Sequence, residues 1–332
     1  MGAVRFSLIV PVYNRADEVL ALLESLAQQD FKDFECIIVE DGSPLPCGDV
    51  CSRFEDRLNL RYFFKENEGR SIARNYGMQR ADGDFFVFVD SDCILPPDYF
   101  SRLSAALDDN PTDCFGGPDA AADNFSPLQK AISFAMTSFL TTGGIRGGKV
   151  KLEKFVPRTF NMGFTREVYE KVGGFREMFS EDIDMSTRIR NAGFETTLFP
   201  DVKVFHKRRV NLKKFWKQVH IFGMSRITLH LLYPGSLKLV HTLPALFVIF
   251  SVALILGAVF LPILLIPLGL YILALFIAAS VKYRSLKIGC LAVVASLTQL
   301  YGYGTGFLRA FFWKILMRRG RDEDEERRLR VG

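Results

Sequence analysis

Residues 84–100 read DFFVFVDSDCILPPDYF, and this stretch decides the fold. Phe85, Phe86, Val87, Phe88 and Val89 form a short apolar run of β-formers, the signature of a strand buried on both faces. Asp90 and Asp92 follow at once, and the Pro96-Pro97 pair shortly after breaks the extended chain, so both carboxylates can gather in a turn. The same unit recurs outward toward the N-terminus. FSLIVPVY (6–13), FECIIVEDGS (34–43) and LRYFFKE (60–66) each read as a strand. Between them, residues 14–29 carry Val19, Leu22, Leu23 and Leu26 at helical spacing, and residues 69–80 read as a second helix. Strands separated by such helices predict parallel pairing through right-handed crossovers, hence an open α/β sheet of Rossmann type. Ligands of such sheets bind beyond the carboxyl ends of the strands. One crevice should therefore be lined by Tyr13 and Asn14, by Glu40 and Asp41, and by Asp90 and Asp92.

Two hard carboxylates at that mouth suit Mg²⁺ or Mn²⁺ carrying a diphosphate; they also suit a pair of solvated turn acids. SIARNYG (71–77) places Arg74 near a helix N-terminus, where it can meet phosphate, though spacing alone favours a surface arginine. SEDIDMSTRIRNAGF (180–194) opens a helix behind Ser180 as N-cap. Acids in a first helical turn complement the dipole without chemistry, yet a helix N-terminus also fixes a carboxylate that must accept a proton. The sequence leaves both readings open.

Beyond residue 100 the alternation loosens. Residues 119–155 hold Gly143, Gly144, Gly147 and Gly148 and show no clear period, which predicts a mobile loop or lid. TFNMGFTREVYEKVGGF (159–175) reads as a strand and a helix closed by glycine, and TTLFPDVKVFH (196–206) as a strand region. The six cysteines show no paired CxxC spacing and read as free thiols.

The chain has 332 residues, 49% hydrophobic, with a formal net charge of +5. Residues 239–281 contain no Asp, Glu, Lys or Arg, enough for two crossings of a ~30 Å hydrocarbon layer. A tight hairpin of helices is expected at residues 239–257 and 262–281. Residues 288–308 form a third apolar segment, made less lipid-like by Gln299, Tyr301, Gly302, Gly304 and Gly306. Lys203, Lys207, Arg208, Arg209, Lys213, Lys214 and Lys217 precede the apolar region, and Lys282, Arg284 and Lys287 follow its first part. Placed so, they fit anionic headgroups rather than nucleic acid. The N-terminus has no signal-peptide layout, which predicts a front domain in the cytosol at the inner membrane. The charged tail, RRGRDEDEERRLR (318–330), reads as a surface or frayed helix. The expected organisation is a catalytic domain over residues 1–225, an interfacial linker over 226–238, a membrane region over 239–312 and a tail over 313–332.

Taken in order, FSLIVPVYNR, IIVEDGS, NEGRSIARNYG, VFVDSD, NMGFTREVYEKVGGF and EDIDMSTRIRNAGF resemble the family 2 glycosyltransferases of the GT-A fold, over roughly residues 5–225. The resemblance implies an inverting, metal-dependent sugar transfer. In its terms, Pro11 and Tyr13 lie against the nucleotide base, Asp41 holds base and ribose, and Arg74 faces the uracil or the phosphates. Asp90 and Ser91 contribute to the ribose or to the metal's water shell. Asp92 contacts the Mn²⁺ or Mg²⁺ ion, and His206 can add a metal or diphosphate contact, with Arg208 and Arg209 near the diphosphate. Asp182 is the implied base, and Glu181 an acceptor or orienting contact. The implied donor is a nucleotide-sugar, with uridine preferred, and the acceptor a lipid-linked or saccharide molecule of the cell envelope. The stretch NLKKFWKQVHIFGMSR (211–226) would lie along the headgroups. Two alternatives from other classes stand beside this reading: a non-catalytic nucleotide-binding scaffold at the membrane, and a nucleotidyltransferase. The released product separates them, since a glycosyltransferase yields a nucleoside diphosphate, a nucleotidyltransferase yields pyrophosphate and a scaffold yields neither.

Overall fold

The computed structural model describes residues 6–120, 126–143, 156–206 and 211–317. It divides into two compact units, one of residues 1–122 and 155–207, the other of residues 123–154 and 208–332. The first unit runs β1 (Phe6–Val12), α1 (Ala16–Ala27), β2 (Phe34–Asp41), α2 (Gly48–Ser52), β3 (Leu60–Lys65), α3 (Arg70–Met78), β4 (Phe85–Phe88), β5 (Cys93–Ile94), α4 (Tyr99–Asp109), β6 (Cys114–Gly116) and β7 (Asp119–Ala120). The second unit then contributes α5 (Pro127–Thr137) and α6 (Phe139–Thr142). The first resumes with β8 (Met162–Thr165), α7 (Arg166–Val172), α8 (Glu181–Asn191), β9 (Thr196–Leu198) and β10 (Val204–His206).

Seven strands form the main sheet in the order β3-β2-β1-β4-β8-β6-β9, and β5-β10-β7 form a small second sheet. β1 pairs in parallel with β2 and β4, and β2 with β3, as the alternation of strands and helices predicts. The continuous apolar runs arise because alternate residues go to opposite faces and both faces are covered. Phe6, Leu8, Val10, Phe34, Cys36 and Ile38 pack against Val19, Leu22 and Leu26 of α1 and Phe100 of α4. Ile9, Ile37, Val39, Phe86 and Phe88 pack on the other face against Ala73, Met78, Met185 and Ile189.

The sheet departs from all-parallel pairing at β8, which runs antiparallel to both β4 and β6. Its four residues, MGFT, include Gly163, where a Cβ would meet a Phe115 ring carbon at 2.4 Å and the Phe86 carbonyl at 2.7 Å. The strand region expected at residues 196–206 is resolved into two strands in two sheets, β9 and β10. Within the expected loop of residues 119–155, the expectation is corrected for residues 127–142, which form helices. Ser126 and Gln129 form a capping box with Pro127 at the first turn, and they start a true helix, α5. Gly144, Gly147 and Gly148 lie outside the described residues, as do Arg208, Arg209 and the charged tail.

The second unit continues with α9 (Leu212–Leu232), α10 (Leu239–Gly257), α11 (Ile266–Tyr283), α12 (Leu286–Ala310) and a π-helical turn, Phe311–Leu316. Three stretches, Leu239–Gly257, Pro262–Tyr283 and Leu286–Leu316, are long and apolar enough to cross a membrane. The glycines that make the third stretch look less lipid-like are its packing surface. A Cβ at Gly302 would meet Val219 Cγ2 at 2.6 Å, and one at Gly306 the His220 carbonyl at 2.0 Å, both on α9. Gly304, two positions between, faces α10, where a Cβ would meet the Pro244 carbonyl at 2.4 Å. Gly223 of α9 answers with its own close approach to Tyr303 O. Small residues four apart let two helix backbones meet in this way.

Candidate active site

The carboxyl ends of the parallel strands carry the polar residues. Pro11 lies past Ile9, the last residue of β1 paired with β4, where only β2 continues alongside; a residue without an N–H is tolerated there. Tyr13 follows with its ring exposed. Asn14 takes a left-handed φ of 54°, and its N–H donates to Ser43 Oγ at 2.6 Å, tying together the turns after β1 and β2. Asp41, almost fully buried, accepts from Lys65 Nζ at 2.8 Å, from Glu68 N at 3.0 Å and from Gly69 N at 2.8 Å. Its carboxylate thereby fixes the loop that leads into α3. Its neighbour Glu40 points into the core, accepting from Cys47 N and Tyr62 Oη.

At the end of β4 the chain turns, with Cys93 N donating to Asp90 O at 3.0 Å. Arg74 is 1% exposed, which overturns the spacing-based expectation of a surface arginine. Its Nη2 donates to Asp90 Oδ1 at 2.9 Å and its Nη1 to Glu181 Oε1 at 3.0 Å, while the guanidinium lies 5.6 Å from the Phe175 ring centroid. Glu181 is as buried as Arg74, and its second oxygen accepts from Arg70 Nη2 at 2.8 Å. One buried arginine thus joins the acid at the end of β4 to the N-terminus of α8. Asn75, the next residue, braces the same junction: its Nδ2 donates to Phe175 O and its Oδ1 accepts from Phe175 N.

Ser180 occupies the N-cap position of α8, but with a left-handed φ of 62° and no capping bond from its side chain. Its carbonyl accepts from Ile183 N and Asp184 N instead, and a non-glycine residue in this region costs about 1 kcal/mol. Asp182 Oδ2 accepts from Arg158 Nη1 at 3.2 Å and Oδ1 from Ile183 N at 2.8 Å. Burial pushes this carboxyl up, but the Arg158 and Arg70 charges and the Ile183 N–H outweigh it and hold it below the usual range. The third acid, Asp184, is buried and accepts from Arg176 and Arg188, and Arg188 in turn donates to Val172 O and Gly174 O. Asp184 therefore anchors the connection from α7 to α8.

In the small sheet, antiparallel β10 and β5 pair His206 with Cys93, and β7 and β10 pair Asp119 with Val204. The backbone of His206 is thus brought beside the residue that follows Asp92; its side chain lies outside the described residues. Among the described residues no three His, Cys, Asp or Glu side chains converge as a ready-made metal cage. Two turn carboxylates with a histidine backbone alongside still fit a Mg²⁺ or Mn²⁺ ion that takes its remaining ligands from phosphate and water.

The fold brings together Asp90, Arg74 and Glu181 through direct contacts, sets Asp182 next to Glu181 in the first turn of α8 with Arg158 as its partner, and puts the His206 backbone beside Cys93, after the Asp90-Ser91-Asp92 turn. Tyr13 and Asp41 stand at the neighbouring strand ends and share no ion pair with that group. Arg70 and Arg158 escaped the sequence reading. Arg70 had a usable signal, a cation just after the glycine that opens α3, whereas Arg158 lies in a stretch without period and meets Asp182 only in the fold.

The family model described as "Glycosyl transferase family 2" matches residues 7–173, and the chain belongs to that family. Glycosyltransferase GlyA of Streptococcus pneumoniae is 36% identical over 100 residues, 30% of this chain and 14% of GlyA. TarS of Staphylococcus aureus, a poly(ribitol-phosphate) beta-N-acetylglucosaminyltransferase, is 34% identical over 113 residues, 33% of this chain and 20% of TarS. The chain thus spans no more than a fifth of the length of either relative. Among solved structures, the mannosyltransferase PcManGT from Pyrobaculum calidifontis, in complex with GDP-Man and Mn²⁺, superposes with a TM-score of 0.61 at 20% identity, covering 90% of this chain and 87% of that one. The first unit has the GT-A fold.

Proposed function

We propose that this chain is a membrane-attached, metal-dependent, inverting glycosyltransferase. It moves a sugar from a nucleoside-diphosphate donor, read as a UDP-sugar, to a lipid-linked or saccharide acceptor in cell-envelope glycan synthesis. The observation that carries the reading is the buried Arg74 clasp, 2.9 Å from Asp90 and 3.0 Å from Glu181. It sets the phosphate end of a donor site and the base-bearing helix at a fixed separation, as direct displacement requires. The GDP-Man and Mn²⁺ held by PcManGT support a nucleotide-sugar donor and a divalent ion, and the polyol-phosphate acceptor in the name of TarS supports an envelope acceptor.

In this mechanism the exposed ring of Tyr13 stacks on the base and Asp41, with Pro11 beneath, bounds the ribose end. Asp92 and Asp90, with Ser91 between them and His206 alongside, would hold the Mn²⁺ or Mg²⁺ ion. When bound, that ion neutralises the charge developing on the leaving diphosphate. Asp182 accepts the proton of the acceptor hydroxyl as its oxygen bonds to the anomeric carbon; the bond from that carbon to the diphosphate breaks on the opposite face, and configuration inverts. Arg158 keeps Asp182 ionised and oriented. Glu181, with both oxygens engaged by Arg70 and Arg74, orients the helix and not the acceptor. The three candidate spans attach the chain to the inner membrane, with the first unit, residues 1–122 and 155–207, as the catalytic domain in the cytosol.

The test is the nucleotide product formed from UDP-sugars by the detergent-purified full chain. Release of UDP by the wild type, and its loss in Asp182→Asn with nucleotide binding retained, is the expected result. Pyrophosphate release, or turnover surviving in Asp182→Asn, would overturn the reaction or the base, respectively.

A further inference from the structure

Helices α5 and α6 lie alongside the candidate spans within the second unit. Lys282 Nζ sits 5.9 Å from the Phe134 ring centroid of α5, and the Tyr271 hydroxyl donates to the Leu140 carbonyl of α6 at 2.8 Å. Lys282 ends the charge-free run and, with Arg284 and Lys287, marks the polar end of α11. Tyr271 lies eleven residues before Lys282, about 16 Å along the helix axis. That is about half of a ~30 Å hydrocarbon layer. Phe134 therefore meets the charged rim, and Leu140, bonded to Tyr271, lies deeper, toward the middle of the layer.

Three features suit that depth. Residues 126–143, SPLQKAISFAMTSFLTTG, carry one charge, Lys130, near their start. One side of α5, with Ala131, Ile132 and Ala135, packs on Leu275, Ala279, Ala292 and Ala295, while at the tip Phe139 is 66% and Leu140 39% exposed. The helix also breaks at Ser138, and the carbonyls around the break find partners. Ala135 O accepts from Thr141 Oγ1, Leu140 O from the Tyr271 hydroxyl, and Ser138 O from Thr141 N and Thr142 N as well as from both threonine hydroxyls. Irregular backbone survives at membrane depth only where its polar groups are satisfied in this way. Sixteen helical residues reach about 24 Å, too short to cross.

We propose that residues 127–142 form a re-entrant membrane segment whose tip, Phe139 and Leu140, rests among lipid acyl chains near the middle of the bilayer. The inference rests on the reading of α10, α11 and α12 as membrane spans, and its test separates the two. The native tryptophans, Trp216 and Trp313, are replaced by Phe, and a single indole is introduced by Phe139→Trp or, as a reference, by Leu273→Trp on the exposed side of α11. Each full-length protein is reconstituted in phosphatidylcholine vesicles brominated either near the headgroup or deep in the acyl chain. Deep bromine quenching both indoles more strongly than shallow bromine is the expected result. Quenching of the Leu273→Trp protein alone, with the indole at position 139 reached by aqueous acrylamide or by neither quencher, would overturn the segment and leave the spans standing. Failure of deep quenching in both proteins would overturn both. Should the tryptophan-free background not fold, Phe139→Cys in a Cys290→Ala chain, nitroxide-labelled, gives the same answer: greater collision with oxygen than with a soluble nickel chelate supports the depth, and the reverse overturns it.

Discussion

The two units of this chain bury polar groups in opposite ways. In the sheet unit they are charged and meet opposite charges: Arg74 with Glu181 and Asp90, Asp184 with Arg188, Glu35 with Arg61. In the helical unit close packing comes from glycines that admit a neighbour's backbone and from hydroxyls, such as Tyr301 on Ser251 at 2.9 Å. The difference follows from what surrounds each. A sheet domain in water can leave strand-end charges beside a solvated cleft, and buried ion pairs position them there at some cost in desolvation. Helices that face acyl chains already satisfy their own backbone, gain nothing from burying more apolar surface and associate through close contact. Phe250 at 66% and Phe260 at 89% exposure are out of place in water and at home in lipid.

That contrast can be broken by substitutions that strike one unit at a time. The largest effect is expected from Asp182→Asn, which should lower kcat by about 10²–10⁴-fold, the usual share of a positioned base, with only a small fall in melting temperature from the lost Arg158 pair. An unchanged rate would detach α8 from the chemistry. Glu181→Ala leaves Arg74 buried with half its partners, and breaking such a pair costs about 3–5 kcal/mol; denaturant titration should show this loss in the sheet unit. Gly306→Leu drives a side chain toward the His220 carbonyl, where even a Cβ would come within 2.0 Å. Overpacking of this kind costs about 1–3 kcal/mol, and it should lower stability in detergent while leaving nucleotide affinity unchanged. The mildest test is pH. The Asp182 carboxyl is held below its ordinary range, so any stability it contributes is present above its unfolded value and is lost only as pH falls through the lower folded value. The acid limb of kcat/KM should accordingly lie below the ordinary aspartate range, and Arg158→Gln should move it upward. A limb indifferent to Arg158 would remove that pair from the mechanism.

Much of this architecture was legible in the sequence where local pattern sufficed. The first four strands and the Asp41 and Asp90–Asp92 strand ends follow from apolar runs broken by acids, and the helices α10 and α11 from the charge-free stretch, although the two pack mainly on α12 rather than on each other as a tight hairpin. What escaped depends on partners distant in the chain. Arg74 reads as a surface residue because Glu181, 107 positions away, is what buries it. The antiparallel insertion of β8 hides in four residues too few to show a period. The glycines of α12 weaken a hydropathy pattern while strengthening a helix seam, since propensity registers the missing side chain and not the neighbour that occupies its place.

The central claim is that the strand ends of the sheet unit form a metal-assisted nucleotide site. Its most direct test is thermal stabilisation of the purified full chain by UDP and by GDP, each with and without Mn²⁺, for wild type and Asp92→Ala. The account predicts a rise in melting temperature with UDP that requires Mn²⁺ and vanishes in Asp92→Ala. No shift with either nucleotide, or the same metal-independent shift in both proteins, would contradict it.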